Sequence, residues 1–243
     1  MGEPGPLAVV TGGSRGIGRA FVLEAIRRGY RVVFSYRHRE ADARETIRRA
    51  SELGGEAVSV RADLARPEGV EAVAAAVAAR GAASLLINNA GVTEECRLAE
   101  MTRETWERAV AINLTAPAFL AQALMPGLAT NRGAILNVSS DGGVAGSLHG
   151  PPYGATKAGI IGLTKTLARE LAPEVRCNAI APGPVATEMW FAIDVEVQRR
   201  VVERETPLRR IAQPADVARA GLDVCSWPDA TGIVVVLDGG RIM

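Results

Sequence analysis

The chain alternates short apolar runs with longer segments of helical periodicity from residue 7 almost to its end. The first two runs are Leu7–Val10 and Arg31–Tyr36, and helical segments follow them at about 16–28 and 39–53. Most runs lack alternation of apolar with polar residues, which is typical of parallel strands that are buried on both faces. This pattern restricts the fold to a parallel sheet covered by helices on both sides.

The same pattern predicts further strands at 57–61, 85–88, 134–138, 176–180 and 233–237, and further helices at about 67–79, 103–125, 153–171 and 215–226. We therefore expect a doubly wound, Rossmann-like α/β sheet of seven strands, whose ligand lies beyond the carboxyl ends of the strands. No internal repeat or linker interrupts the pattern. Residues 1–243 are thus predicted to form a single domain, with a flexible leader over 1–6.

Charge and cysteine usage exclude several classes of protein. The 28 Lys and Arg residues almost cancel the 27 Asp and Glu residues, so no nucleic-acid or membrane partner is expected. Three separated cysteines and no His/Cys/Asp cluster predict neither a disulfide framework nor a metal site, and they favour a reducing cytoplasm. Residues 109–131 carry no charge, but their polar residues and two prolines indicate a buried helix rather than a membrane span.

A glycine-rich turn, Thr-Gly-Gly-Ser-Arg-Gly-Ile-Gly over residues 11–18, joins the first strand directly to a helix. Glycines at this place allow a tight turn and a close approach of the backbone to a pyrophosphate, which the helix N-terminus faces. Taken alone, such a turn can also bind nothing. Its position after the first strand of a βαβ unit favours a dinucleotide.

Further motifs follow the later strands. They are Asn88-Asn-Ala-Gly91, Asn113, Ser139-Ser140 and Tyr153-x-x-x-Lys157, together with Asp63-Leu64, Pro182-Gly183, Thr187 and Asp238-Gly-Gly240. With these motifs in this order, residues 7–240 resemble the short-chain dehydrogenase/reductase family. The resemblance implies a cofactor site formed by Gly12, Ser14, Arg15, Gly16, Ile17, Gly18, Arg37, Asp63, Leu64, Asn89, Ala90, Gly91, Tyr153, Lys157, Pro182, Gly183, Val185 and Thr187. It also implies a substrate lid at about 187–206 and a homotetramer built through the helices at 103–125 and 153–171.

The end of the second strand bears on the choice between NAD and NADP. An acid there would accept hydrogen bonds from the ribose diol of NAD, but the segment reads Ser-Tyr-Arg-His-Arg over 35–39, with no acid before Glu40. Arg37, together with Arg15 of the glycine turn, can bind a 2′-phosphate and favours NADP(H). The alternative is that Arg37 and Arg39 only begin a solvated helix.

Tyr153 and Lys157 lie four residues apart on one helical face, after two prolines that begin the helix. We expect Tyr153 to act as general acid in carbonyl reduction and as general base in alcohol oxidation. A neighbouring ammonium favours phenolate, so Lys157 is expected to lower the pKa of Tyr153. By resemblance, Lys157 also holds the nicotinamide ribose.

Ser140 is expected to donate a hydrogen bond to the substrate carbonyl, and Ser139, the competing candidate, to satisfy nearby backbone. Asn113 lies in an Ala-rich helical segment, where a buried amide needs partners. The family implies that it holds a water that relays protons toward Lys157, and it can also knit the core. His149 is interpreted as a solvated bystander. Residues 189–191 form either an apolar wall of the substrate site or a helix start packed on the core.

These features predict an NADPH-dependent ketoreductase that acts on a 3-oxoacyl thioester or a related specialised-metabolite intermediate, free or bound to a carrier protein. The runs at 11–18 and 178–189 are most similar to 3-oxoacyl-[acyl-carrier-protein] reductases. The loop 146–152 and the pair Pro173-Glu174 depart from that pattern. A dehydrogenase of a small free alcohol, ketone or sugar therefore stays open, as does a family member that senses NADP(H) without turnover.

Overall fold

The computed structural model of the protein describes residues 5–242 and contains a seven-stranded sheet in which each pair of neighbouring strands is parallel. The spatial order is β3-β2-β1-β4-β5-β6-β7. The strands are β1 (Leu7–Val10), β2 (Arg31–Tyr36), β3 (Ala57–Arg61), β4 (Ala83–Asn88), β5 (Ala134–Val138), β6 (Arg176–Pro182) and β7 (Val234–Leu237). The predicted doubly wound α/β fold is confirmed.

Ten α-helices accompany the strands in the described part of the chain. They are α1 (Gly16–Arg27), α2 (Glu40–Glu52), α3 (Pro67–Ala78), α4 (Arg103–Val110), α5 (Ala116–Thr130), α6 (Asp141–Ala145), α7 (Pro151–Glu170), α8 (Glu188–Phe191), α9 (Val195–Arg200) and α10 (Pro214–Ser226). A 3₁₀ turn spans Leu98–Glu100, and π-helical turns span Ala111–Thr115 and Val201–Glu205. The short helices α6 and α9 were not predicted, because five or six residues carry too little periodicity to show, whereas α8 lies where a helix start was one of the two alternatives.

The core lies in two layers, one on each face of the sheet. Successive side chains of a strand point to opposite faces, so Ala8 and Val10 of β1 pack in one layer and Leu7 and Val9 in the other. Helices α1 and α10 cover the first layer, and α3 and α5 cover the second. This arrangement explains why the strands read as unbroken apolar runs.

Helices α4 and α5 are continuous through the π turn between them, and the resulting helix Arg103–Thr130 is long and apolar enough to cross a membrane. Its Leu120, Leu124 and Leu128 pack in the core, as expected of a helix buried on one side. The predicted end at residue 125 is wrong. The helix continues through Pro126 because Leu128 is fully buried and holds the last turn against the sheet, and Thr130 Oγ1 donates to the Pro126 carbonyl at 2.9 Å.

The strand order reverses between β1 and β4, so the chain leaves their carboxyl ends toward opposite faces of the sheet and a crevice is left between the two connections. Thr11 joins the two ends. Its Oγ1 accepts hydrogen bonds from the backbone N–H groups of Asn89 and Ala90, both at 2.9 Å, and its own N–H donates to the Ile87 carbonyl. The two loops that follow β1 and β4 are therefore fixed relative to each other.

The predicted leader falls partly outside the structure, since residues 1–4 are not among the described ones. The carbonyls of Gly5 and Pro6 accept hydrogen bonds from the side chain and the backbone of Arg31, respectively. These two residues thus extend the contact of β1 with β2.

Arg19 of α1 holds the glycine turn against α2. Its Nη2 donates to the Ser14 carbonyl at 2.6 Å and to the Asp42 carbonyl at 3.1 Å, and its Nε donates to Thr46 Oγ1 at 2.9 Å. Thr46 Oγ1 also donates to the Ser14 carbonyl, at 3.0 Å. The backbone of the turn is therefore anchored from two helices.

We expect Arg19→Met to lower the free energy of unfolding by about 2 kcal/mol, because it leaves two partly buried carbonyls without their charged donor. Arg27→Met, on the same helix, removes an exposed ion pair with Glu24 and should change the free energy of unfolding by less than about 0.5 kcal/mol. Urea denaturation of both variants measures the difference. Equal losses would contradict the anchoring role of Arg19.

Candidate active site

The glycine turn after β1 has the shape of a cradle for a pyrophosphate. Gly12 and Gly16 adopt φ angles of +68° and +54°, which side chains disfavour, and a Cβ on Gly18 would lie 2.1 Å from the Gly12 carbonyl oxygen. Helix α1 begins at Gly16 without a side-chain cap, so the N–H groups of its first turn face the crevice side of the turn without a side-chain acceptor. A bound anion satisfies such groups, and the residues of the turn therefore fit the phosphates of a dinucleotide.

The loop after β4 brings the glycine turn close to the predicted catalytic residues. Asn89 Nδ2 donates to the Thr11 carbonyl at 2.9 Å, and a Cβ on Gly12 would lie 3.1 Å from Ala90 Cα. A Cβ on Gly91 would lie 3.3 Å from Asn113 Oδ1 and 3.5 Å from Lys157 Nζ. The predicted segment 88–91 thus runs along the crevice from the turn to α7.

The loop after β6 closes the opposite side of the crevice. The N–H of Gly183 donates to the Leu237 carbonyl at 2.9 Å, and Val185 forms an isolated bridge with Ala212. A Cβ on Gly16 would lie 3.4 Å from Thr187 Cγ2. Of the predicted cofactor residues in this loop, Thr187 therefore lies beside the glycine turn.

Asp63 and Leu64, which follow β3, make local contacts. Asp63 Oδ1 accepts a hydrogen bond from the Ala65 N–H at 3.2 Å, and Leu64 is buried in the layer under α3 and α5. The family role of this pair, on the adenine side of the cofactor, stays a prediction.

Two arginine side chains converge on one carboxylate beside the turn. Arg15 Nη1 is 2.5 Å from one oxygen of Glu188 and Arg39 Nη1 is 2.9 Å from the other. Arg37 forms no side-chain ion pair with a described residue, and its carbonyl accepts a bond from Arg61. The sequence paired Arg15 with Arg37. The structure instead places Arg39, the residue before α2, across from Arg15.

Tyr153, Lys157 and Ser140 meet at the carboxyl end of β5. Tyr153 and Lys157 lie one turn apart on α7, with Lys157 Nζ 5.7 Å from the centre of the Tyr153 ring, and the Ser140 hydroxyl lies close enough to Tyr153 to influence the pKa of the phenol. Ser139 Oγ donates to the Lys157 carbonyl at 2.7 Å, which is the backbone contact expected of it. The predicted catalytic residues of this end are thus brought together.

Burial dominates the electrostatics of Tyr153 and Lys157. It lowers the pKa of Lys157 to about 8, and Lys157 Nζ donates to the Val138 carbonyl at 2.8 Å. Burial also raises the pKa of Tyr153; the nearby Ser140 hydroxyl opposes this and the Asp141 carboxylate adds to it. The expectation that Lys157 lowers the pKa of Tyr153 is therefore not met by the protein alone, since the ring is desolvated and the ammonium points to the backbone.

Asn113 lies in the π turn between α4 and α5 and is 2% exposed. Its Nδ2 donates to the Val92 carbonyl and to Thr156 Oγ1, and its Oδ1 accepts from the Val92 N–H. The amide thus joins the loop after β4 to α7, which is the core-knitting role. π turns are frequent at functional sites, and the water-holding role stays a prediction.

The sequence missed several residues around this cluster. His149, interpreted as a bystander, lies edge-on to Tyr153 with ring centres 5.3 Å apart. Asp141 Oδ1 accepts from Ser140 Oγ at 2.9 Å, and Arg241 binds the other oxygen of Asp141 at 2.6 Å. Asp141 stands next to a predicted catalytic serine, which was a usable signal. Arg241 lies 100 positions away and gave none.

The segment after Thr187 has features of both predicted roles, an apolar wall of the substrate site and a helix start packed on the core. Trp190 is buried, whereas Met189 and Phe191 are 48% and 63% exposed. Helix α8 therefore packs on the protein through one aromatic ring and presents two apolar side chains outward.

Known proteins match this chain over nearly its whole length. A family model described as Enoyl-(Acyl carrier protein) reductase matches residues 12–241. Short-chain dehydrogenase/reductase FrzI of a Cladobotryum species is 36% identical over an alignment of 249 residues, gaps included, which covers 97% of this chain and 95% of that protein.

Two solved structures are also similar to this chain over nearly its whole length. A 3-oxoacyl-[acyl-carrier protein] reductase with bound NAD from Brucella melitensis has a TM-score of 0.88 and 35% identity, covering 98% of this chain and 91% of that one. L-sorbose reductase from Gluconobacter frateurii, complexed with NADPH and L-sorbose, has a TM-score of 0.92 and 30% identity, and the match covers 100% of this chain and 98% of that one. Because the family match runs through both the glycine turn and the helix of Tyr153 and Lys157, the chain belongs to the short-chain dehydrogenase/reductase family, whose members are oxidoreductases of carbonyl and alcohol groups.

Proposed function

We propose that the protein is an NADPH-dependent ketoreductase that converts a ketone to a secondary alcohol. The observation that carries this proposal is the meeting of Ser140, Tyr153 and Lys157 at the end of a crevice whose other end is a pyrophosphate cradle. A reduced nicotinamide bound along that crevice supplies the hydride. The protein's own part is to hold the ketone and to deliver a proton.

Two hydroxyls serve the substrate oxygen in this mechanism. Ser140 Oγ donates a hydrogen bond to the carbonyl oxygen as negative charge develops on it. Tyr153 is protonated at neutral pH because burial raises its pKa, so its hydroxyl can give a proton to the same oxygen. Lys157, with a pKa of about 8, is charged in most molecules at pH 7 and stabilises the phenolate that remains.

The convergence of Arg15 and Arg39 on one carboxylate supports NADP(H) rather than NAD(H) as the cofactor. Glu188 lies between the two guanidinium groups as a phosphate would, and it shows that both can hold one anion. No acid ends β2 to bind a ribose diol in place of the phosphate. Relatives carry both cofactors, NAD in the Brucella melitensis reductase and NADPH in L-sorbose reductase.

For the substrate we propose a 3-oxoacyl thioester or a related apolar ketone. Exposed apolar side chains flank the site, Leu148 before α7 and Met189 and Phe191 on α8, and an acyl chain would cover them. The likeness to L-sorbose reductase supports a second candidate, a sugar or small free ketone.

We further propose that the enzyme works in the cytoplasm as a homotetramer. Trp106 and Phe119 are 37% and 54% exposed on the helix that the family resemblance assigns to the interface, which supports burial against another copy.

A panel of substrates tests the reaction. We expect NADPH consumption with acetoacetyl thioesters, less with L-sorbose and small ketones, and none with crotonyl thioesters, because Ser140 and Tyr153 are arranged to protonate an oxygen. Absorbance at 340 nm measures the rates. Tight NADPH binding without turnover of any ketone would instead favour a sensor, and preference for the crotonyl ester would favour an enoyl reductase.

Tyr153→Phe should lower kcat by at least about 100-fold, since it removes the proton donor, and should leave the Kd for NADPH within about threefold. Tyr30→Phe makes the same change at the opposite end of the sheet and should behave as the wild type. Steady-state rates and NADPH fluorescence titration report the two quantities. A Tyr153→Phe enzyme of near-normal rate would exclude the proton-donor role.

The wild type should prefer NADPH to NADH, and Arg15→Met and Arg39→Met should each lower that preference about tenfold or more, because each removes a charged bond to the phosphate. Arg37→Met tests the pairing expected from the sequence. Arg48→Met is the matched control, since its ion pairs with described residues are all with carboxylates of its own helix. The ratio of kcat/KM with NADPH to kcat/KM with NADH measures the preference in each variant. A wild-type preference for NADH would overturn the assignment of NADP(H) as the cofactor.

A further inference from the structure

Arg241 reaches from the segment after β7 to the catalytic end of the sheet. Its Nη1 lies 2.6 Å from Asp141 Oδ2 and its Nη2 lies 3.1 Å from Glu205 Oε2. The turn that carries it is fixed by Asp238, whose two oxygens accept from the N–H groups of Gly240 and Ile242 at 2.8 Å each. Arg241 is therefore held in place on both sides of its backbone.

Asp141 is a buried carboxylate beside the predicted oxyanion site. Its side chain is 9% exposed, and its Oδ1 accepts from Ser140 Oγ at 2.9 Å and from the Gly142 N–H at 2.7 Å. An unpaired negative charge there would draw the Ser140 proton to itself and would repel negative charge on a substrate oxygen. The site therefore needs a cation at Asp141.

Arg241 is the cation that meets this need. Glu205 is also bound by Arg200 at 3.1 Å, so Arg241 is not its only partner, whereas among described side chains Asp141 forms an ion pair only with Arg241. Among the described residues, the buried Nε of Arg241 has no hydrogen-bond partner.

The other charged groups near Tyr153 are accounted for. Lys157 lies one turn along α7, and His149, which contacts the Tyr153 ring, lies 3.6 Å from Glu95. Asp238 lies beside Gly183, as Asp141 does, but its carboxylate is bound by backbone N–H groups. Asp141 is thus the carboxylate whose charge state bears directly on Ser140 and Tyr153.

We propose that Arg241 is a positioning residue for carbonyl reduction: by pairing with Asp141 it weakens the hold of that carboxylate on the Ser140 proton, so that the Ser140 hydroxyl can turn to the substrate oxygen and stabilise the charge on it. The proposal rests on the ketoreductase function proposed above. It assigns to Arg241 no contact with substrate or cofactor.

Four variants of the full chain test it. Arg241→Met removes the cation, Arg241→Lys keeps it, and Arg241→Met with Asp141→Asn removes both charges. Arg200→Met is the matched control, because Arg200 binds the same Glu205 but not Asp141. Three quantities are measured: kcat for ketone reduction, the Kd for NADPH, and the pKa of Tyr153 from the difference in tyrosinate absorbance between each variant and its Tyr153→Phe counterpart.

We expect Arg241→Met to lower kcat roughly 10- to 100-fold and to raise the pKa of Tyr153 by about one unit, with the Kd for NADPH within about threefold of wild type. Arg241→Lys should keep most of the activity. The double variant should recover most of the kcat and the lower pKa, because no charge is left to neutralise. Arg200→Met should leave the Tyr153 pKa unchanged.

An Arg241→Met protein with wild-type kcat and Tyr153 pKa would overturn the proposal. So would a double variant as impaired as Arg241→Met, because it would show a purely structural contact. If Arg241→Met does not fold, the double variant decides alone. A wild type that reduces no ketone would refute the proposed function, whereas the pKa of Tyr153 in the variants would still decide the role of Arg241.

Discussion

The reversal of strand order between β1 and β4, which sends the chain from their carboxyl ends to opposite faces of the sheet, is the constraint on which the rest of the structure depends. A single hydroxyl, that of Thr11, accepts two backbone hydrogen bonds there and fixes the loops that line the crevice. Arg19 then holds the outer side of the glycine turn from α1. A rigid cradle is thereby built from loops, which on their own are the least constrained parts of a fold.

Helix α7 is positioned by one residue that is bound at both its ends. The Lys157 side chain donates to Val138 and its carbonyl accepts from Ser139, so the helix is docked on the end of β5 by the lysine that is proposed to be catalytic. Burial of that ammonium has an electrostatic cost, which its lowered pKa records. The same contacts place Tyr153 next to Ser140. The electrostatic cost of burying Lys157 therefore falls at the site where an ordered geometry would favour the reaction.

The strands and most helices could be predicted, because burial on both faces leaves unbroken apolar runs that a sequence displays directly. The meeting of Tyr153 and Lys157 was predicted from their spacing on one helix, and Ser140 was added by resemblance to the family. The ion pairs around the crevice were not predicted. Arg39 rather than Arg37 shares Glu188 with Arg15, and Arg241 pairs with Asp141, because such contacts join distant elements and leave no local period. The helix was also predicted to end before Pro126, but it continues because the buried Leu128 holds its last turn against the sheet.

The order of synthesis gives the contact between Asp141 and Arg241 a temporal meaning. During translation the amino-terminal part of a chain emerges and begins to fold first. The glycine turn, the crevice and α7 all precede residue 241, so they can assemble while Asp141 still lacks its arginine. The ion pair between Asp141 and Arg241 can form only after residue 241, which lies beyond β7, has left the ribosome.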